Sequence, residues 1–163
     1  MSAFTAIVFA DGFDNVTVRR IIEDANVARS TFYEYFSSKD DVLRACMSQF
    51  LSVIADTVAN DTCPPNLVPV LEHLWEKRRL TDAIFTGSAR SILGLTLSEM
   101  IEAHLRASRQ GSSIPHRLAS IQLAEGQLAL IEAWLRGRAY SSILDLAGML
   151  HNASRASAKA LLA

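Results

Sequence analysis

The sequence predicts an all-α protein in two parts, a head of three short helices over residues 1–45 and a helical bundle over residues 46–163. Three observations lead there. Glycine and proline together number only 11 in 163 residues, too few to punctuate a chain of many short strands. No alternating apolar and polar run stands out, and apolar residues recur instead at three- and four-residue steps along almost the whole length. Half of the residues are hydrophobic and a fifth are charged, so the chain can bury a core and lies outside the disordered and fibrous classes.

The first helix is expected from about Ser2 to Asp11, with Phe4, Ile7 and Val8 on one face and Gly12 as its stop. Thr17 then caps a second helix running to about Ala25, and Asn26 can take the left-handed turn that follows. A third helix spans about Ala28 to Tyr35. Ser37 and Ser38 cap a long fourth helix, whose Val42, Leu43, Met47, Phe50, Leu51, Ile54 and Val58 keep helical spacing until Asp61. Further helices are expected at about 67–79 and 82–108, the latter broken near Gly87, before a Gln, Gly, Ser and Pro loop at 110–115.

The last two helices, at about 116–136 and 141–162, are apolar on more than one face. Small residues such as Ala124, Gly126, Ala129 and Ala133 would let helices approach closely. The pattern suggests a four-helix interface between two copies of the chain, with Leu123, Gln127, Leu130, Trp134, Ile143, Leu146 and Leu150 as candidates. The alternative is that both helices are simply central to one chain.

Apolar runs are interrupted well before the roughly 18 residues a membrane span requires, and the opening MSAFTAIVFADGF lacks the basic flank of a signal peptide. The expectation is a cytoplasmic protein without a membrane partner. Cys46 and Cys63 have neither CxxC spacing nor clustered histidines, so no disulfide framework, metal site or cofactor is expected. No phosphate loop, paired-carboxylate motif or nucleophile pattern marks an enzyme. Charge gives no support to a nucleic-acid binder: the net charge is −1, and residues 1–46 carry five Lys or Arg against seven Asp or Glu. A DNA-binding role has to rest on where the charges stand.

The segment from Thr17 to Asp40 carries a capping Thr, the Ile21-Ile22 pair, Ala25-x-Val27 at the turn, Thr31-Phe-Tyr-Glu-Tyr-Phe36 and Ser38-Lys39-Asp40 in one register. It resembles the DNA-binding head of the tetracycline-repressor (TetR) family, specifically over about residues 4–45. In a helix-turn-helix the second helix enters the major groove with its N-terminal residues toward the base edges, braced by the first. Ile21, Ile22 and Ala25, with Val27, Phe32 and Phe36 opposite, are expected to form the shared core. Arg29, Ser30, Thr31 and Tyr33 are then left for DNA, Arg29 for guanine or a phosphate and Tyr33 for a phosphate oxygen. Tyr35 joins them as a DNA candidate, while Lys39 and the free N–H groups at the start of the fourth helix, like Thr17 at the second, offer phosphate sites.

Each has a plainer reading. Thr17 and Ser38 can be caps alone, Tyr33 and Tyr35 surface aromatics, and Lys39 a solvated lysine. Glu34 would repel phosphate unless it turns away or accepts from cytosine, and it is expected to turn away. The chain departs from the family pattern in having no basic arm before a longer first helix, which predicts lower affinity unless the native start lies upstream of Met1. Asn26 stands where the family usually has Gly, and Ala28 where a Ser cap is common.

The resemblance further implies a homodimer on a palindromic double-stranded DNA operator, with a small-molecule effector enclosed by the middle helices. Phe50, Trp75, Phe85, Met100 and His104 are candidates for lining that pocket, although aromatic and Met residues at helical spacing are more often plain core. Two rival readings remain: a helical binding or interaction module whose head has lost useful DNA affinity, and, more remotely, a helical enzyme.

Overall fold

The computed structural model describes residues 3–108 and 114–162, apart from the side chain of Leu80, and among these residues the only regular elements are helices. α1 (Ala3–Asp11) buries Phe4, Ile7 and Val8 and ends where Gly12 takes a positive φ of 75°. A single 3-10 turn follows at Phe13–Asn15, an element the periodicity did not signal, and its Phe13 is buried edge-on against Phe4. α2 (Val18–Ala25) opens on Thr17, whose side chain accepts from the Arg20 amide at 3.2 Å. It closes on Asn26 at φ 50° and ψ 47°, the left-handed geometry that asparagine tolerates better than most residues. α3 (Arg29–Tyr35) starts at Ala28 with no side-chain cap.

α4 (Lys39–Ala59) begins with a full capping box, in which Ser38 accepts from the Asp41 amide while the Asp41 carboxylate accepts from the Ser38 amide. The middle of the chain divides earlier than its sequence suggests. α5 (Leu67–Glu76) and α6 (Arg78–Ile84) meet at Lys77, and the next break leaves Gly87 as the first residue of α7 (Gly87–Ala107). Most of the loop expected at 110–115 lies outside the described residues. α8 (His116–Leu135) and α9 (Ile143–Leu162) complete the chain within two residues of their predicted limits.

α7 lies between α4 and α8 and packs closely along both, while α9 crosses α4, α5 and α8. Leu93, Leu97 and Ile101 of α7 are fully buried, as are Leu51 and Ile54 of α4 and Leu128 and Ile131 of α8. Each such side chain stabilises the fold by about 1.5–3 kcal/mol relative to exposure. α4 is long and apolar enough to cross a membrane by length and composition, but it is a core helix here, largely covered by α7 and α9.

This packing corrects the interface suggested by the sequence. Leu123, Gln127, Trp134, Leu146 and Leu150 are all buried within one chain, and Leu130 and Ile143 are half-buried against the same core. Gln127 reaches inward, donating to Thr57 Oγ1 at 2.7 Å and Ser154 Oγ at 2.8 Å. The wide apolar arcs exist because α8 and α9 each pack against more than one helix of their own chain. The surface they leave free is a different one: Leu118, Ile121, Ala129 on α8 and Met149, Ala153, Ala160 on α9.

Candidate nucleic-acid interface

The head is built around a small core in which Ile21 and Phe32 are buried and Ile22 and Phe36 half-buried, with Phe32 and Phe36 rings 5.7 Å apart. Ala25 and Val27 do not join it; both are exposed, because the tight turn at Asn26 carries them to the outer edge of the α2–α3 corner. With Phe32 facing inward, helical geometry sets Ser30 and Glu34, one turn apart, on the opposite side of α3. Arg29, Thr31, Tyr33 and Tyr35 are also exposed.

Two contacts order this surface. The Tyr33 ring stands edge-on to Phe32 at 5.3 Å, which fixes its plane, and the Arg29 guanidinium lies 5.6 Å from the centre of the same ring. Arg29 is therefore steered along α3 by a cation–π contact, its donors left open to an incoming oxygen. Tyr35, three-quarters exposed, faces water without such support. Glu34 is exposed on the Ser30 face rather than turned away, though it sits at the C-terminal end of the helix, a turn behind the residues nearest its start.

Lys39 is not a free surface lysine. Its ammonium donates to the carbonyl oxygens of Phe13 at 2.9 Å and Asp14 at 3.0 Å and lies 4.7 Å from the centre of the Phe13 ring. Two of its three donors hold the turn between α1 and α2, leaving one for a phosphate. Thr17 is likewise engaged as a cap, and Arg19 and Arg20 pair with Glu23 and Asp24.

The acidity of the head has an architectural explanation. Asp11 and Asp24 face Arg20, Glu23 faces Arg19, and Asp41 serves the capping box and lies 3.8 Å from Arg44. Asp14 accepts from both the amide and the hydroxyl of Ser88, and these bonds, with Lys39 nearby, hold its carboxyl below its ordinary range. Most of the negative charge is thus tied to partners away from the exposed side of α3.

In the body the five pocket candidates do not converge. Phe50 and Phe85 are buried against one another at 6.3 Å, and Met100 is half-buried against the core. Trp75 lines a recess of about 220 Å³ with Trp134, Tyr140 and Ile143, whereas His104 lines a separate recess of about 310 Å³ with Val58, Leu105, Arg155 and Lys159. Trp75 and Trp134 stack at 4.8 Å, and Arg78 covers Trp75 at 5.0 Å. Sequence periodicity could not separate these places, since it reports which residues are apolar and not which meet.

A head with an exposed second helix of a helix-turn-helix, joined to a helical bundle, is an all-α arrangement suited to binding DNA. Residues 5–46 match the family of bacterial regulatory proteins, tetR family. Over those residues the chain resembles the TetR-family regulators, and its all-helical fold agrees with that resemblance. A TetR transcriptional regulator from Streptococcus agalactiae superposes with a TM-score of 0.55 at 21% identity, over 94% of this chain and 89% of that one. A TetR-family regulator from Syntrophomonas wolfei (TM-score 0.48, 18% identity, 98% and 93% covered) and the fatty acid degradation regulator FadR from Bacillus halodurans (0.49, 16%, 93% and 94%) are more distant. No curated protein matches the chain.

Replacing Lys39 by Ala is expected to lower stability by about 1–2 kcal/mol in denaturant unfolding without DNA, because two charge-assisted bonds are lost at a partly exposed site. A loss confined to DNA affinity would mean that the ammonium does not hold the turn. Glu34→Gln is expected to tighten binding to all DNA sequences by about two- to fivefold at low salt, measured by fluorescence anisotropy, since it removes one negative charge from the exposed face of α3.

Proposed function

We propose that two copies of this chain pair and place their α3 helices in successive major grooves of a palindromic operator, about 34–36 Å apart, blocking transcription there. The observation that carries the reading is the ordered outer side of α3, where Arg29 lies along Tyr33 beside Ser30 and Thr31 while most acids of the head are paired elsewhere. Arg29 reads guanine or holds a phosphate, Ser30 and Thr31 reach base edges or backbone, and Tyr33, Tyr35 and the spare donor of Lys39 meet phosphates. Thr17 fixes the start of α2, whose unpaired amides point toward the backbone.

Pairing uses the free outer faces of α8 and α9, with Leu118, Ile121 and Met149 as the large apolar contacts and Ala129, Ala153 and Ala160 allowing close approach. Leu130 and Ile143, half-buried, border that surface. A small apolar effector enters the body and favours a head spacing that fits the operator poorly, releasing the protein. The recess at Trp75 and Trp134 suits it, because Arg136 beside it ties the end of α8 to Asp82 and to the Phe85 carbonyl, next to the start of α7. At about 220 Å³ the recess is smaller than the clefts of about 300–1,000 Å³ that hold drug-sized ligands, which favours a compact effector. The formal charge of the head favours the rival module without DNA affinity, and the pairing of its acids weakens that rival.

The test is selection from random duplex DNA at low salt, followed by salt titration of the selected sequence. An enriched palindrome is expected; Tyr33→Phe should then weaken all sequences alike, and Arg29→Ala should cost about 1–3 kcal/mol and relax specificity at one position. Absence of any enriched sequence would overturn the reading. Sedimentation should show a dimer that Ile121→Glu or Met149→Glu converts to a folded monomer by burying an unpaired charge at the interface. Unaltered dimers in both variants would place the interface elsewhere.

A further inference from the structure

Thr86 holds the cap position before α7 but makes no cap bond; its hydroxyl donates backward to the Ala83 carbonyl at 3.1 Å. The first turn of α7 is capped instead from the head. The Asp14 carboxylate accepts from the Ser88 amide at 3.3 Å and from the Ser88 hydroxyl, across 74 positions of sequence. A carboxylate at this place satisfies an otherwise unpaired helix donor and meets the positive end of the helix dipole. Gly87 makes the approach possible twice over: its φ is 55°, and a Cβ there would run into the Asp14 carboxylate.

Asp14 stands on the same turn that Lys39 grips from the other side through the Phe13 and Asp14 carbonyls. The Phe13–Asn15 turn is therefore clamped between the start of α4, directly after α3, and the start of α7, the central helix of the body. α1 also packs on α6, so the head is not held by this clamp alone, but α1 and α6 meet as helix against helix whereas the clamp fixes a direction.

We infer that Asp14 is a positioning residue for DNA recognition: by capping α7 it sets the angle of the reading head on the body, and with it the distance between the two α3 helices of a dimer. The inference rests on the dimeric DNA-binding reading above. Asp14 itself touches no DNA in this scheme. Loosening its contact leaves each head folded and able to hold a half-site while the spacing between heads becomes less defined. An effector that displaces the first turn of α7 acts through the same carboxylate.

The experiment has two arms. In the first, one nitroxide label replaces Ser30 on α3 and another Leu144 at the start of α9, with Cys46 and Cys63 changed to Ser and labelled chains diluted in unlabelled ones. The distance distribution within one chain, measured by pulsed electron resonance, is expected to broaden in Asp14→Ala and in Ser88→Ala; unchanged distributions in both overturn the inference. In the second arm, the selected operator is rebuilt with the half-site spacing changed by one and two base pairs. Discrimination between spacings is expected to fall about fivefold or more in Asp14→Ala, with affinity for an isolated half-site kept within about twofold. A loss equal at every spacing and at the half-site, as in a head-destabilising Ile21→Ala control, also overturns it. If the unmodified dimer selects no spaced half-sites, the operator reading fails, and the label distances alone decide whether Asp14 fixes the head.

Discussion

α7 is the element on which the other parts of the molecule depend. Leu93, Leu97 and Ile101 lose all contact with water, and to cover them the chain must lay α4 along one side and α8 along another. Those placements bring α9 across α4 and α8 and consume apolar arcs that could otherwise face a second copy. Close approach of α8 is visible at Gly94, where a Cβ would press on the Glu125 carboxylate that binds Arg90. At its start the same helix lacks a cap of its own, and the head supplies one.

Charge placement rather than charge total decides what the head can do. A formal excess of acid over base in residues 1–46 would discourage any polyanion if spread evenly. Most of its carboxylates, Glu34 and Asp40 apart, instead serve as helix caps or partners of Arg19, Arg20 and Arg44, at positions set largely by the helical i,i+3 and i,i+4 spacings and by the contact with α7. The outer side of α3 keeps one cation held over an aromatic ring and a set of neutral donors, with Glu34 as its one acid, a turn behind them. Neutral donors give direction but little long-range attraction, so on this face geometry has to supply what electrostatics does not.

Features whose cause is local were legible in the sequence. The Thr17 cap, the Ser38 box and the left-handed Asn26 each depend on chemistry within three or four residues, and helix limits followed from them to within a residue or two through α4. Features whose cause lies far along the chain were not. The grip of Lys39 on the turn was hidden because the carbonyls it binds lie 25 and 26 positions away, and the cap of α7 because its carboxylate is 74 positions away. The inward turn of Leu123, Trp134 and Leu146 shows the same limit: periodicity finds an apolar arc, but only the packing says which neighbour fills it. Ser88 after Thr86 and Gly87, together with an Asp14 two residues beyond Gly12, is the signal that was present and could not be paired without the fold.

The two ends of α8 carry different consequences for signalling. Near its start Arg117 reaches Ser98 and Glu102 of α7, and near its end Arg136 reaches Asp82 and the carbonyl of Phe85. α8 is thereby fastened to both ends of the segment that contains α7, so a ligand of the kind proposed above, were it to wedge at Trp75 and Trp134, would load the short link from Phe85 to Ser88 as it shifted the end of α8. That link has few alternatives in which to relax, because Phe85 is buried against Phe50 and Gly87 is already in the left-handed region under the Asp14 carboxylate. A displacement of the link is then taken up by the contact between Ser88 and the head, where both side chains are exposed. The physical coupling between body and head is therefore best sought in that polar contact, where a modest change of position exchanges a protein partner for water at little cost, rather than in the apolar core beneath it.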